Sequence, residues 1–343
     1  MTCICRIIPE EVLGRFANDK KLSAAERAIF KNSLALEPLW RQIRSLQGEL
    51  SGVAAMSLAG PGATPAAPAI TVNNCNHTTT LPGAPVANPG SSADGTAKRA
   101  FVETSQVAKF YKSVFNRNSV DNQGAALGSS IHYGVNYNNA FWNGTRMTYG
   151  DGDGNIFVDF TRSNDVIAHE LTHGVTQHSA QLAYVNQAGG LNESMSDVFG
   201  SMFRQWEAGQ DVNAADWLIG KDIMGPGAIQ RGLTCLRDLA NPAAAHCLAP
   251  QPTNFSQYHD GMDPHFSSGP PNLAFYKAAK AIGGKSWEKC GQIWYKALTG
   301  YAPKPNLTMK EFANRTRSLA QTLYPGTPAI KIAVDNAWKA VGL

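Results

Sequence analysis

Two clusters of ionisable residues constrain this chain more than any other feature: VIAHELTHGVTQH at 166–178 and GGLNESMSD at 189–197. Each residue of an α-helix turns the chain by about 100°, so positions four apart lie about 40° apart around the axis. His169 and His173 therefore leave one helix face and can grip one ion. Glu193 and Asp197 share that spacing at the start of a second helix, and both can face the first. Taken singly, each cluster has a plainer reading. An exposed helix can carry His and Glu by accident, and carboxylates favour a helix N-terminus electrostatically.

A catalytic zinc takes three protein ligands and leaves a fourth position open. Glu170 stands beside the two histidines without being forced into coordination, where a base must stand to take a proton from an activated water. His178 sits about 140° from His173 on a continuous helix and is expected at the surface. The glycine turn and distal histidine of a sister class of zinc proteases would fall on Thr176 and Ser179, so that pattern is absent. The third ligand is then sought in GGLNESMSD: one of the carboxylates of Glu193 and Asp197 can bind zinc while the other orients a ligand histidine, whose second ring N–H needs an acceptor.

The chain has 343 residues, 43% hydrophobic and 16% charged, enough for a sizeable core in two lobes. Its formal charge of +4 and the lack of basic runs interleaved with aromatics give no nucleic-acid or membrane surface. No apolar run approaches the roughly 20 residues of a membrane span. Arg6, Glu10 and Glu11 interrupt what would have to be the core of a signal peptide, so none is expected.

Residues 1–50 read as helical and charged, with Ser23 and Glu26 spaced as a capping box. From Ser51 to Ala93 there is no charged residue, which marks a linker entering a β-rich segment. An amphipathic helix is expected over 102–117. IHYGVNYNNAFWNGTRMTYGDGDGNIFVDF follows, with Asn-Gly and Asp-Gly pairs that favour hairpins over a calcium loop. Helical patterns cover 165–180, 193–208, 273–283, 287–299, 308–323 and 329–341. Cys235 and Cys247 flank a Pro/Ala-rich loop and could close it in an oxidising compartment, while Cys75 and Cys290 read as buried thiols.

HELTH, nineteen residues, then Glu193 within NESMSD resembles the thermolysin family of neutral metalloendopeptidases. YNNAFWNG, YGDGDG, WLIGKDI and DPHFSSGPPNLAFY fall in that family's order, and the likeness covers most of residues 70–343. CRIIPEEVL resembles the short propeptide of the protealysin-like branch, with IPE in place of IPP. The resemblance implies an α+β, two-lobed fold: an inhibitory propeptide at 1–50, a β-rich lobe at 51–180 ending in the HELTH helix, and an α-helical lobe at 181–343. It implies His169, His173 and Glu193 as ligands of one zinc, Glu170 as general base, and Asn192 and Asp197 as partners of the histidines. Tyr184, His265 and Arg237 would stabilise the oxyanion, with Asp260 orienting His265. Asn139 and Ala140 would hold the substrate backbone. Phe157, Phe160, Val166, Ile219, Ile223 and Leu236 would line an apolar pocket for the residue after the scissile bond.

The same likeness gives the expected partners, peptide and protein substrates and the chain's own propeptide through Cys3, Cys5, Ile8, Pro9 and Leu13; charge and hydropathy add that no nucleic acid and no membrane are expected. The chain is expected to be a monomer, secreted or else cytoplasmic, processed within about 47–60. At the family's paired calcium site Asp165 is joined by Arg204, Leu218 and Lys221, and cations there predict that the site is lost. Cys3 or Cys5 could cap the zinc through a thiolate, or IIPEEVL could plug the cleft by apolar contact with the thiols incidental. A zinc aminopeptidase would need eighteen intervening residues and an amine-anchoring motif. A dead scaffold would have lost Glu170, a ligand or His265.

Overall fold

The computed structural model describes residues 5–36 and 67–343. The expected processing region at 47–60 and Cys3 lie outside these residues. The N-terminal segment forms strand β1 (Cys5–Arg6) and helices α1 (Glu10–Ala17) and α2 (Ala24–Ala35). The Ser23–Glu26 capping box starts α2, each side chain bonding the other residue's backbone N–H.

The β-rich lobe holds β2 (Ile70–Asn74), β3 (Ala84–Pro85), β4 (Leu127–Ile131), β5 (Ala140–Trp142) and β6 (Arg146–Tyr149). They make one sheet in the order β1-β5-β6-β4-β2-β3. Pairs β2/β4 and β4/β6 are parallel, and β1/β5, β5/β6 and β2/β3 antiparallel. The β5–β6 hairpin turns at Asn143-Gly144, where Gly144 has φ +95° and the Asn143 side chain accepts from Thr145 and Arg146 N–H. YGDGDG makes no such hairpin. Asp151 instead bonds His132, and Asp153 accepts from the N–H groups of Ile156 and Phe157.

Helix α3 (Gly95–Phe115) starts two turns before its expected position because Asp94 caps it through Thr96 N–H. Helices α4 (Asn164–Gln177) and α5 (Asn186–Glu207) pack face to face at the centre of the molecule. Asp165 through Thr176 are all buried, so α4 is enclosed on every side. The C-terminal lobe adds α6 (Pro226–Gln230), α7 (Pro264–Ser267), α8 (Gly269–Ile282), α9 (Lys289–Thr299), α10 (Met309–Leu323) and α11 (Pro328–Ala340), with a two-strand ladder of β7 (Leu218–Ile219) and β8 (Arg237–Asp238). Among the described residues no helix is long and apolar enough to cross a membrane.

Helix α5 begins seven residues before Glu193, so Glu193 and Asp197 lie in its interior rather than at its start. Gly189 and Gly190 do not break it. They let it approach its neighbours: a Cβ on Gly190 would lie 2.5 Å from Ser267 Oγ, and one on Gly189 2.8 Å from Pro264 Cγ.

Candidate active site

The helical period places the ligand atoms. His169 Nε2 and His173 Nε2 lie 3.0 Å apart, and the Glu193 carboxylate oxygens lie 3.4 and 3.5 Å from them. All three side chains are buried. Each histidine is turned by an acceptor at its other nitrogen: Asp197 Oδ1 at 2.9 Å from His169 Nδ1, and Asn192 Oδ1 at 2.9 Å from His173 Nδ1. Ser196 Oγ adds a third contact at 3.0 Å. With Nδ1 donating, a neutral imidazole presents its Nε2 lone pair, and two such lone pairs 3.0 Å apart repel unless a cation lies between them. Glu193 Oε2 is also buried without a hydrogen-bond partner. Burial opposes charge on His169, yet Asp197 and Glu193 raise its pKa to about 9, so the site favours added positive charge. Two imidazoles and one carboxylate fit zinc, and among the described residues Cys5 is not part of this cluster.

Glu170 lies beside the cluster. Both its oxygens are buried without a hydrogen-bond partner, and burial raises its pKa to about 8. A carboxylate held there releases and takes a proton near neutral pH. Tyr184 O–H donates to Glu193 Oε1 at 2.5 Å and lies 3.3 Å from His265 Nε2.

The carboxylate against His265 is Asp263, not the expected Asp260. Asp263 caps α7, and its Oδ1 accepts from His265 N–H at 2.9 Å and meets Nδ1 at 2.7 Å. Asp260 is exposed and accepts from Tyr258 O–H at 2.6 Å. Pro264 at the first helical position, directly after an Asp, is the signal in the sequence that marks Asp263 as the cap. Arg237 makes contacts that the sequence reading did not anticipate. Its Nε and Nη2 each donate to Asp197 at 2.7 Å, and Nη1 donates to Ile7 C=O at 3.0 Å. The guanidinium therefore locks the partner of His169 and at the same time holds the Ile7 carbonyl in the cleft. Asn272 Nδ2, which sequence reading missed, donates to Asp197 Oδ2 at 2.9 Å.

The N-terminal segment occupies the cleft edge. Ile7 N–H donates to Ala140 C=O at 3.1 Å, and the Asn139 amide grips Ile8 by both its N–H (3.0 Å) and its C=O (3.1 Å). His265 Nε2 makes a short hydrogen bond with Arg6 C=O. Ile7, Ile8 and Leu13 are fully enclosed, and Pro9 and Cys5 are buried. The six expected pocket residues are all buried, but the ring of Phe157 faces Phe16 and Phe30, at 6.4 and 6.3 Å between centroids. Arg15 donates to Leu248 C=O, Arg231 pairs with Asp19, and Asn155 donates to Glu26. His178 is exposed at the end of α4, as its helical angle requires.

A family model described as the catalytic domain of thermolysin metallopeptidase matches residues 65–177, and one described as its alpha-helical domain matches 180–343. The chain belongs to the thermolysin family. It is a metalloendopeptidase of that family, a membership that excludes the aminopeptidase alternative. An "Extracellular metalloprotease" of Pectobacterium carotovorum is 42% identical, over 77% of this chain and 78% of that protein. "Protease PrtS" of a Photorhabdus strain is 37% identical over 79% and 76%. Among solved structures, the precursor of protealysin, a metalloproteinase from Serratia proteamaculans, matches with a TM-score of 0.83 at 34% identity. That match covers 98% of this chain and 99% of the precursor. The thermolysin-family fold thus extends to the N-terminal segment, with a protealysin-like arrangement.

Proposed function

We propose that the chain is a secreted zymogen whose N-terminal segment holds the place of substrate, and that the released enzyme cuts internal peptide bonds before bulky apolar residues with Glu170 as general base. Two observations support the reading together: the unpartnered, buried Glu170 carboxylate beside the His169–His173–Glu193 cluster, and the Arg6 carbonyl held by His265. The residue after that carbonyl is Ile7, apolar and enclosed, with its own carbonyl on Arg237. A substrate would take the same register, its backbone paired along β5 and clamped by Asn139.

A zinc ion bound by His169, His173 and Glu193 would polarise the substrate carbonyl and lower the pKa of water to about 7. Glu170 then takes the proton from the attacking water and passes it to the leaving amine. His265 and Tyr184 donate to the carbonyl oxygen as it gains charge, and removal of one such donor costs on the order of a hundredfold or more in turnover. Asp197, held by Arg237 and Asn272, keeps His169 turned toward the metal.

We further propose that the family's paired calcium site is replaced by an ion-pair cluster. Arg204 Nη1 lies 3.4 Å from Asp165 and 2.7 Å from Asp222, and Lys221 pairs with Asp216.

The deciding comparison is wild type against Glu170→Gln after processing, on peptides carrying Leu or Phe after one bond. Equal zinc content with turnover down by at least a hundredfold is expected. Equal activity would overturn the assignment of the base, and cleavage elsewhere would overturn the specificity.

A further inference from the structure

Cys235 and Cys247 lie in adjacent backbone segments running parallel, where they form a bridge pair. Thr234 N–H donates to His246 C=O at 3.0 Å, Leu248 N–H to Cys235 C=O at 2.9 Å, and Ala249 N–H to Leu236 C=O at 3.2 Å. Neighbouring strands lie about 4.7–4.9 Å apart, within the roughly 4.4–6.8 Å between Cα atoms that a disulfide spans. The sulfurs are 3.8 Å apart and buried with Ala244 and Leu218 in a small apolar cluster of their own. At that backbone spacing, rotation about the side-chain bonds is the movement needed to bring the sulfurs to a bond of about 2.05 Å.

We propose that Cys235 and Cys247 form a disulfide in the folded protein, closing the loop that carries Leu236 and Arg237. Two thiols lose their protons and a sulfur–sulfur bond forms. The two electrons pass to a small disulfide oxidant of the glutathione type, which leaves as two thiols. The reaction belongs to folding, while both sulfurs still meet solvent. Its occurrence in the cell rests on the export proposed above, but its chemistry is independent of that reading.

His246 is a third potential ligand beside the pair, and two cysteines with a histidine would also suit zinc. The surroundings favour the disulfide. The hydrogen bond shared with Cys247 and then burial push the Cys235 thiol far up, and the nearby charge is the Asp238 carboxylate rather than a cation. His246 is partly exposed, with its Nε2 3.4 Å from that carboxylate. Arg237, two residues after Cys235, holds Asp197 and Ile7. A staple here braces the arginine when the N-terminal segment leaves.

The test folds the full chain in glutathione buffer, then unfolds it and alkylates its six cysteines. Four labels without reductant and six with it are expected, with peptides containing 235 and 247 linked before reduction. Reductant should lower the wild-type Tm by roughly 5 °C and leave a Cys235→Ala/Cys247→Ala variant unmoved. Six labels without reductant would overturn the proposal. So would two zinc ions per chain falling to one in that variant.

Discussion

His265 illustrates how a single side chain is set by what flanks it. With Asp263 on one nitrogen and a carbonyl on the other, it is held to donate toward the cleft. Asp263→Asn should lower kcat/KM by about tenfold or more, since a neutral partner holds a donating imidazole less firmly. Asp260→Asn should leave kcat/KM within about twofold, and a large loss there would reverse the assignment. His132 shows the same logic at a distance from the metal site. It lies between Asp151 at 2.7 Å and Asp94 at 3.0 Å. The Asp151 bond, opposed by burial and helped by Asp94, raises its pKa to about 9. A folded pKa above the ordinary value of about 6.5 gives stability that is full below pH 6.5 and fades as pH rises through 9. His132→Gln should therefore lower Tm markedly at pH 6 and little at pH 10; equal losses would show a purely structural role. The pairing of His169 with His173 was legible in the sequence because a helix has a fixed period, and the choice of Glu193 beside them followed from the family resemblance. Asp260 was expected from the family resemblance alone, and in a loop no period points to Asp263 instead.

At the scale of elements, the central helix pair depends on close approach. Alanine at an ordinary helical glycine stabilises by about 1 kcal/mol. At Gly190 the added methyl would meet Ser267 Oγ at 2.5 Å and Met309 Cε at 2.7 Å. Gly190→Ala should thus destabilise by roughly 2 kcal/mol, read as a lower midpoint in urea, and a stabilised variant would remove packing as the reason for the glycine. These two glycines also explain why the start of α5 was hidden: consecutive glycines lower helix propensity, and only tertiary contact gives them purpose. The end strand β1 was hidden for a related reason. Two residues, Cys5 and Arg6, carry no strand pattern of their own, and the open edge of β5 defines them.

Across the whole molecule, Arg204 ties α5 to Asp165 on α4 and to Asp222 beyond β7. Asp165 is fully buried, and burial raises its pKa; the Arg204 guanidinium opposes that shift most strongly without cancelling it. Arg204→Met should cost roughly 3 kcal/mol by leaving the carboxylate unpaired, and millimolar calcium should leave the wild-type Tm unchanged. A calcium-dependent rise in wild type would restore the metal site. The two-lobed plan was legible from the order of motifs, whereas the arginine's geometry required the fold. The clasp of β1 on β5 has a kinetic consequence. A ligand joined to its site by a tether acts at an effective concentration in the millimolar range, about that of a short flexible link. Under the proposed processing, closure of the cleft would turn from a first-order step into a second-order one. The processed protein would then be governed by dilution: crowded at its source it would stay shut, and dispersed it would open.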